Sequence, residues 1–304
     1  MRILVTGATG MIGSELLVNL AEHNGAENVV GLDLNFGGLE KKLGSLHLLQ
    51  ADVASSDISE VLSSVDADCV IHAAAHPGGK SLHEAAEDAR VNSLGSMRVF
   101  EWCTEHKKKV VFLSSSIVYG DQEANPIPED AKLSPGTIYG VSKVACERWL
   151  DILARGRGLD WVTLRLFSTY GRGHAPSTIQ GIVNVFLTQL RQGDKVIIRG
   201  SLERIRDLVY VSDVVTAIRL ATERWPSRRI INVCTGHGIS ISGILEHLFS
   251  ALGKPQGSVQ VEQVAGTLGD PDYNVGNPAL AQEALGFRSQ ISLEEGLTAL
   301  LSPQ

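Results

Sequence analysis

Residues 1–13, MRILVTGATGMIG, decide how this chain is read. An apolar run, Ile3 to Val5, leads into Gly7, Gly10 and Gly13 and then into a helical pattern: strand, glycine turn, helix. Such a turn aims free backbone N–H groups at a pyrophosphate and seats it on a helix N-terminus. Gly7, Gly10, Met11, Ile12 and Gly13 are therefore the candidate phosphate cradle. Three glycines alone are a weak signal. These gain force from YGVSK, 139–143, where Tyr139 and Lys143 stand four residues apart at the start of a second helical pattern.

Outward from the glycine turn, apolar runs alternate with helical patterns. Strands are expected at Arg2–Val5, Val29–Leu32, Leu46–Gln50, Cys69–His72, Val110–Ser114 and Trp161–Leu166, and helices at Met11–Asn24, Leu82–His106 and Ile138–Arg155. Short apolar strands without alternation are those of a parallel sheet covered on both faces. The fold class is α/β, a doubly wound parallel sheet of the Rossmann type with a small α/β lobe. Residues 1–166 would form the dinucleotide-binding domain, with 206–236 returning to it; 167–205 and 237–304 would form the substrate lobe. In that lobe, Gly171 to Gly181 reads as a loop and Ile182–Gln192 as a helix. Val196–Arg199 and Ile230–Val233 read as strands, and Ser240–Leu252 and Leu293–Leu301 as helices.

The 304 residues are 43% hydrophobic and 20% charged, with a net charge of −7. That suits a large core and removes any general attraction to nucleic acid or anionic membranes. Lys107 to Lys109 reads as a solvated turn. No stretch approaches the ~20 apolar residues of a spanning helix, and a strand starting by residue 3 leaves no room for a signal peptide. Cys69, Cys103, Cys146 and Cys234 are scattered, without metal or redox spacing. A cytoplasmic protein with reduced core thiols is expected.

The cofactor half continues at Asp33, twenty residues after Gly13 at the end of the second strand. A carboxylate there accepts from both hydroxyls of an adenosine ribose and repels a 2′-phosphate. No Arg or Lys stands in the glycine loop or in the six residues after Asp33. NAD is therefore expected rather than NADP; the plain alternative is an aspartate capping a turn. Asp52 and Val53 follow the third strand, where an adenine could be met, though an N-terminal cap would explain Asp52 equally well. In HAAAH, His72 to His76, the small Ala73, Ala74 and Ala75 let a phosphate and ribose approach the backbone. The two histidines lack a carboxylate at ligand spacing, and no metal is expected.

Tyr139 and Lys143 share one helix face. An ammonium one turn away favours the phenolate of a tyrosine whose ordinary pKa is about 10. Such a tyrosine can take a proton from a sugar hydroxyl while hydride leaves the same carbon; lysine can also hold the nicotinamide ribose. Alone, the pair would read as ordinary helix neighbours. Ser114, Ser115 and Ser116 end the fifth strand at the binding edge, where one hydroxyl can share the substrate's proton and the others cap the turn.

At these residues the chain resembles the extended short-chain dehydrogenase/reductase superfamily, in its NAD-dependent sugar epimerase/dehydratase branch. TGATGMIG, Asp33, HAAA, VNSLGS, SSSIVYG, YGVSK, RLFSTYG and RDLVYVSDV stand in family order over nearly the full length. The resemblance implies a triad of Ser115, Tyr139 and Lys143. It further implies that Asn92 props the central helix near the cofactor site, and that Ser114 and Phe167 belong to the cofactor surround. Departures narrow the activity. Relatives that eliminate water carry Asp-Glu just after the catalytic hydroxyl; Ser116 and Ile117 stand there, and isoleucine exchanges no proton. Reductase-epimerases use NADPH and a Cys/His pair, against which stand Asp33 and the lack of a cysteine close after Ser115.

In the substrate half, the family's asparagine in R-x-x-N-x-Y-G is Ser168. Arg206 matches an arginine that clamps a nucleotide-sugar diphosphate, its plain alternative being a surface arginine paired with Asp207. Ser115, Ser116, Tyr139, Asn184, Arg199 and His174 complete the substrate candidates, and Asn277 stands where relatives often show Asp. The expected function is an NAD-dependent nucleotide-sugar epimerase that oxidises C4 and re-reduces it. The rivals are a dehydrogenase of a sugar, sugar acid or other small hydroxylated substrate releasing NADH, and a non-catalytic dinucleotide sensor. Relatives pair the 82–106 and 138–155 helices across a homodimer, which is expected here too.

Overall fold

Ile3 and Val5 belong to one hydrophobic cluster and Leu4 to another; farther on, Val111 and Leu113 join the first, Val110 and Phe112 the second. Successive strand residues point to opposite faces, so these unbroken apolar runs are strands buried on both sides.

The computed structural model describes residues 1–37, 44, 46–123, 126–173, 181–255 and 257–302. In chain order, β1 (Ile3–Thr6) leads to α1 (Met11–Asn24), β2 (Val29–Asp33), β3 (His47–Gln50), α2 (Ile58–Ser63) and β4 (Cys69–His72). Then come α3 (Gly78–Ser81), α4 (Ala85–Asp88), a π-helical stretch (Ala89–Gly95), α5 (Ser96–Glu105), β5 (Lys109–Ser115), α6 (Ile138–Arg157) and β6 (Asp160–Leu166). The remainder is β7 (Ser168–Tyr170), α7 (Ile182–Gln192), β8 (Lys195–Arg199), β9 (Ile205–Tyr210), α8 (Val211–Arg224), β10 (Arg229–Val233) and β11 (Gly238–Ser240). It closes with α9 (Ile241–Ala251), β12 (Gln260–Val264), β13 (Tyr273–Asn274), α10 (Ala279–Leu285) and α11 (Leu293–Leu301).

Among the described residues, seven strands form a parallel sheet in the order β10-β6-β5-β4-β1-β2-β3. The chain runs from β1 to β2 and β3 on one side, then crosses to β4 on the other, with Thr6 beside both Leu32 and His72. The crevice beyond the strand ends at this reversal is where such sheets bind ligands. α1 and α8 cover one face, with Leu16, Leu17, Leu20, Val214 and Ile218 in one cluster. α2, α5 and α6 cover the other through Leu62, Phe100, Cys146 and Leu150. The doubly wound α/β expectation holds.

A second sheet centres on β9, flanked by antiparallel β11 and by parallel β13 and β7, each beside one half of it. The chain thus enters the second sheet at Ser168–Tyr170, returns to it at Ile205–Tyr210 and rejoins the first at Arg229–Val233. β8 and β12 form a separate parallel pair. The expected single helix Leu82–His106 is corrected: Ala89–Gly95 is π-helical, between α4 and α5. A π register alters which carbonyls are bonded within the helix. Here the Asn92 carbonyl accepts from the Cys146 thiol of α6 at 3.0 Å. All four cysteines are buried and free, and burial raises the Cys146 thiol to about 11. No helix among the described residues is long and apolar enough to cross a membrane.

Candidate active site

The glycine turn closes on itself. Gly7 has φ +71°, and a Cβ there would lie 2.6 Å from the Ala74 nitrogen. A Cβ on Gly13 would lie 2.0 Å from the Gly7 carbonyl oxygen, well inside contact distance. Both positions therefore need glycine, and α1 starts directly on the turn with Gly10 as its cap and no side chain bonding its first N–H groups. This is the surface a pyrophosphate requires.

Asp33 ends β2 as expected. One carboxylate oxygen accepts from the Thr9 N–H at 2.8 Å, fixing Asp33 to the glycine turn, and the other accepts from Leu34 N–H at 2.7 Å. Thr9, Asp33, Leu34, Asn35, Phe36 and Gly37 line one cavity. Among the described residues that line it none is basic, so an adenosine ribose fits it better than a 2′-phosphate. Asp52 makes a local turn, its Oδ1 accepting from Ala54 N–H at 2.8 Å, while Oδ2 pairs with Arg90 at 2.7 Å; Val53 is buried beside Gly95.

Beyond β4, Ala73 and Ala74 are half-buried and Ala75 is exposed. His72 is not part of the surface. It is fully buried between the Thr6 hydroxyl at 2.8 Å and the Ser96 hydroxyl at 2.9 Å, and burial lowers its pKa to about 3. Among the described residues, no group of three His, Cys, Asp or Glu could hold a metal. Asn92, buried, clamps the loop: Oδ1 accepts from the His76 N–H at 2.7 Å, and Nδ2 donates to the His76 carbonyl at 3.1 Å and to Asp88 at 2.7 Å. Asp88 also accepts from the Ser81 and Ser142 hydroxyls, tying this loop to α6.

Thr137 caps α6, its hydroxyl accepting from Gly140 N–H at 3.0 Å, which places Tyr139 in the first turn. The Tyr139 ring backs onto Gly78, where a Cβ would lie 3.2 Å from the ring. Lys143 is buried. Its ammonium donates to the Leu113 carbonyl at 2.8 Å, sits 4.7 Å over the Phe112 ring and lies 5.5 Å from the centre of the Tyr139 ring. The cation is thus held under the tyrosine from the β5 side. The three serines at and just past the end of β5 part company. Ser114 donates to Glu147 at 2.6 Å, and Ser116, buried, accepts from Asn274 at 3.1 Å. Ser115 is half-buried at the strand end, and its Oγ accepts from Ile117 N–H at 3.4 Å.

In the second sheet Arg206 is buried rather than on the surface. Its guanidinium donates to Asp270 at 2.7 Å and to the Ile205 carbonyl at 2.8 Å, and burial lowers its pKa. It does not pair with Asp207, which is fully buried and accepts from Thr235, Gly236 and Gly276. Arg204 shares Asp270 with Arg206, so two guanidinium groups converge on one carboxylate. Arg204 and Asp270 were not singled out in the sequence; their separation of 66 residues hides the pairing. Ser168 is half-buried at the start of β7, Phe167 is buried before it, Asn184 lies in α7 and Arg199 is exposed at the end of β8. His174 lies outside the described residues.

The model of the NAD dependent epimerase/dehydratase family matches residues 3–234 of this chain. A UDP-glucose 4-epimerase of Mycolicibacterium smegmatis is 32% identical, over 98% of this chain and 96% of that protein. The crystal structure of UDP-glucose 4-epimerase from Thermotoga maritima with UDP-glucose superposes with a TM-score of 0.91 at 30% identity, covering 99% of this chain and 97% of that one. MoeE5 in complex with UDP-glucose and NAD gives a TM-score of 0.87 at 31% identity, covering 99% and 97%.

Proposed function

The chain belongs to the NAD-dependent epimerase/dehydratase family, and from that premise we propose that it inverts C4 of a uridine diphosphate sugar at the Tyr139–Lys143 pair. It is an NAD-dependent enzyme of the nucleotide-sugar epimerase type. Gly7, Gly10, Met11, Ile12 and Gly13 hold the cofactor's pyrophosphate and Asp33 its adenosine ribose. Bound there, NAD supplies a hydride acceptor that returns the hydride. Tyr139 takes the proton of the C4 hydroxyl and later gives it back. Ser115 hydrogen-bonds the same oxygen. Lys143 lowers the cost of the Tyr139 phenolate.

The observation that carries this reading is the buried Lys143 ammonium, fixed by the Leu113 carbonyl beneath the Tyr139 ring. It is tested by offering purified protein UDP-, GDP-, dTDP- and CDP-sugars while following NADH absorbance and epimer formation. Epimer from a UDP-sugar without net NADH is expected; net NADH and an oxidised product would replace this reading with a dehydrogenase.

Asp33→Ala should weaken NAD binding and relax the choice between NAD and NADP, because it removes the ribose acceptor and the charge that opposes a phosphate. Calorimetry on both proteins with both cofactors decides; tighter NADP than NAD binding by the wild type would refute the role.

Arg206 binds the substrate diphosphate. The convergence of Arg204 and Arg206 on the single Asp270 carboxylate supports this reading, since it gathers two cations at one place, and a guanidinium keeps its charge at neutral pH. A charge-assisted contact is worth ~1.5–3 kcal/mol, so Arg206→Ala should raise KM for the nucleotide-sugar roughly ten- to hundredfold, with little change in NAD affinity. Equal UDP binding by mutant and wild type would remove Arg206 from the site.

The protein acts as a homodimer in the cytoplasm. Leu94 of the π-helical stretch and Val141 and Ile152 of α6 are exposed apolar residues on elements that pack together. Light scattering at micromolar concentration should give twice the chain mass; a monomer mass would exclude it.

A further inference from the structure

Beneath the site lies a buried ion pair that the chemistry above does not use. Glu147 stands one turn beyond Lys143 and two beyond Tyr139, on the same stripe of α6. Glu147 and Arg165 of β6 are each only 2% exposed. The pair is bidentate: Arg165 Nε donates to Oε1 at 3.0 Å and Nη2 to Oε2 at 2.7 Å. The remaining Arg165 donor bonds go to the Tyr119 hydroxyl and the Glu129 carbonyl, both at 2.8 Å, with the Tyr119 ring packed on the guanidinium. Oε1 also accepts from the Ser114 hydroxyl at 2.6 Å. Ser114 directly precedes Ser115 and directly follows Leu113, whose carbonyl holds Lys143.

One carboxylate therefore fastens α6, which carries Tyr139 and Lys143, to the end of β5, which carries Ser115, and to β6 beside it. Two charges removed from water gain little net stability over apolar residues of the same volume, but their geometry is directional. A helix packed on this sheet by apolar contacts alone could slide; with a bidentate pair at its centre it cannot shift without breaking buried charge-assisted bonds.

We propose that Glu147, through Arg165 and Ser114, is a positioning residue that sets the spacing of Tyr139 and Lys143 from Ser115. The proposal rests on the triad assigned above.

Two variants test it in the NAD-loaded protein. Glu147→Gln keeps the volume and one acceptor. The double variant Glu147→Met/Arg165→Met removes both charges, a change that is often neutral or stabilising for a fold. A purely structural pair would leave the folded double variant turning over at the wild-type rate. The expected result is a kcat lower by ~10–100-fold in both variants, the scale of a misplacement of about 1 Å. KM and retained NAD should stay within about twofold, so that the loss falls on kcat alone. A kcat within about twofold of wild type in either folded variant overturns the proposal. If the double variant does not fold, Glu147→Gln decides by the same criterion. Tyr139→Phe, assayed alongside, separates the claims. Normal turnover there overturns the triad and this proposal with it; an inactive Tyr139→Phe beside a fully active Glu147→Gln overturns the proposal alone.

Discussion

Tyr139→Phe is expected to lower kcat by on the order of 10²–10⁴-fold while NAD remains bound. The substitution keeps the ring that packs on Gly78 and lies over Lys143, so the first turn of α6 should stay as it is. Only the proton-transferring hydroxyl is lost. Oxidation at a carbinol carbon needs its O–H proton removed as the hydride departs, and the Lys143 ammonium beside Tyr139 already donates to the Leu113 carbonyl. Steady-state assay of epimer formation, with NAD content measured on the same samples, checks both halves. Near-normal turnover would end the triad assignment.

Gly13→Ala is expected to cost about as much by a different route. The added Cβ would sit 2.0 Å from the Gly7 carbonyl oxygen and 2.9 Å from its carbon, both rigid backbone atoms. The glycine turn must therefore move away from the start of α1. A displacement of about an ångström at a site that orients reactants costs on the order of 10²-fold. The loss should appear as NAD released during purification and as activity partly restored by excess NAD. Wild-type NAD content in the variant would mean that the turn does not carry the pyrophosphate.

Much of this was legible in sequence because the signals were local. The strand, turn and helix of residues 3–24 are marked by apolar residues on both sides of three glycines, and β4 and α11 fall at the expected bounds. The Tyr139–Lys143 pair was legible because helix spacing alone brings the two onto one face. What stayed hidden depends on partners distant in sequence. The π-helical stretch 89–95 keeps an apolar spacing that reads as plain helix, and its Asn92 carbonyl is met by Cys146, 54 residues on. The Val211 start of α8 has no side-chain cap, so nothing in RDLVYVSDVV separates strand from helix.

The site residues divide in the same way. Arg206 and Asp207 are adjacent in sequence and invite pairing, yet neighbours on a strand face opposite ways. Asp207 turns to Thr235 and Gly236, Arg206 to Asp270. Ser114 and Ser116 looked interchangeable with Ser115 until Glu147 and Asn274 were seen to engage them. The Glu147–Arg165 pair joins a helix to a strand 18 residues on, and no spacing rule for one element could reveal it.

The most direct measurement uses the UDP-sugar that turns over fastest, carrying deuterium at C4, with NAD-loaded protein and no added cofactor. The predicted result is the C4 epimer with deuterium retained at C4 and no NADH accumulating beyond the enzyme present. Loss of the deuterium from the sugar, with NADH formed in proportion to an oxidised product, would contradict epimerisation at this site.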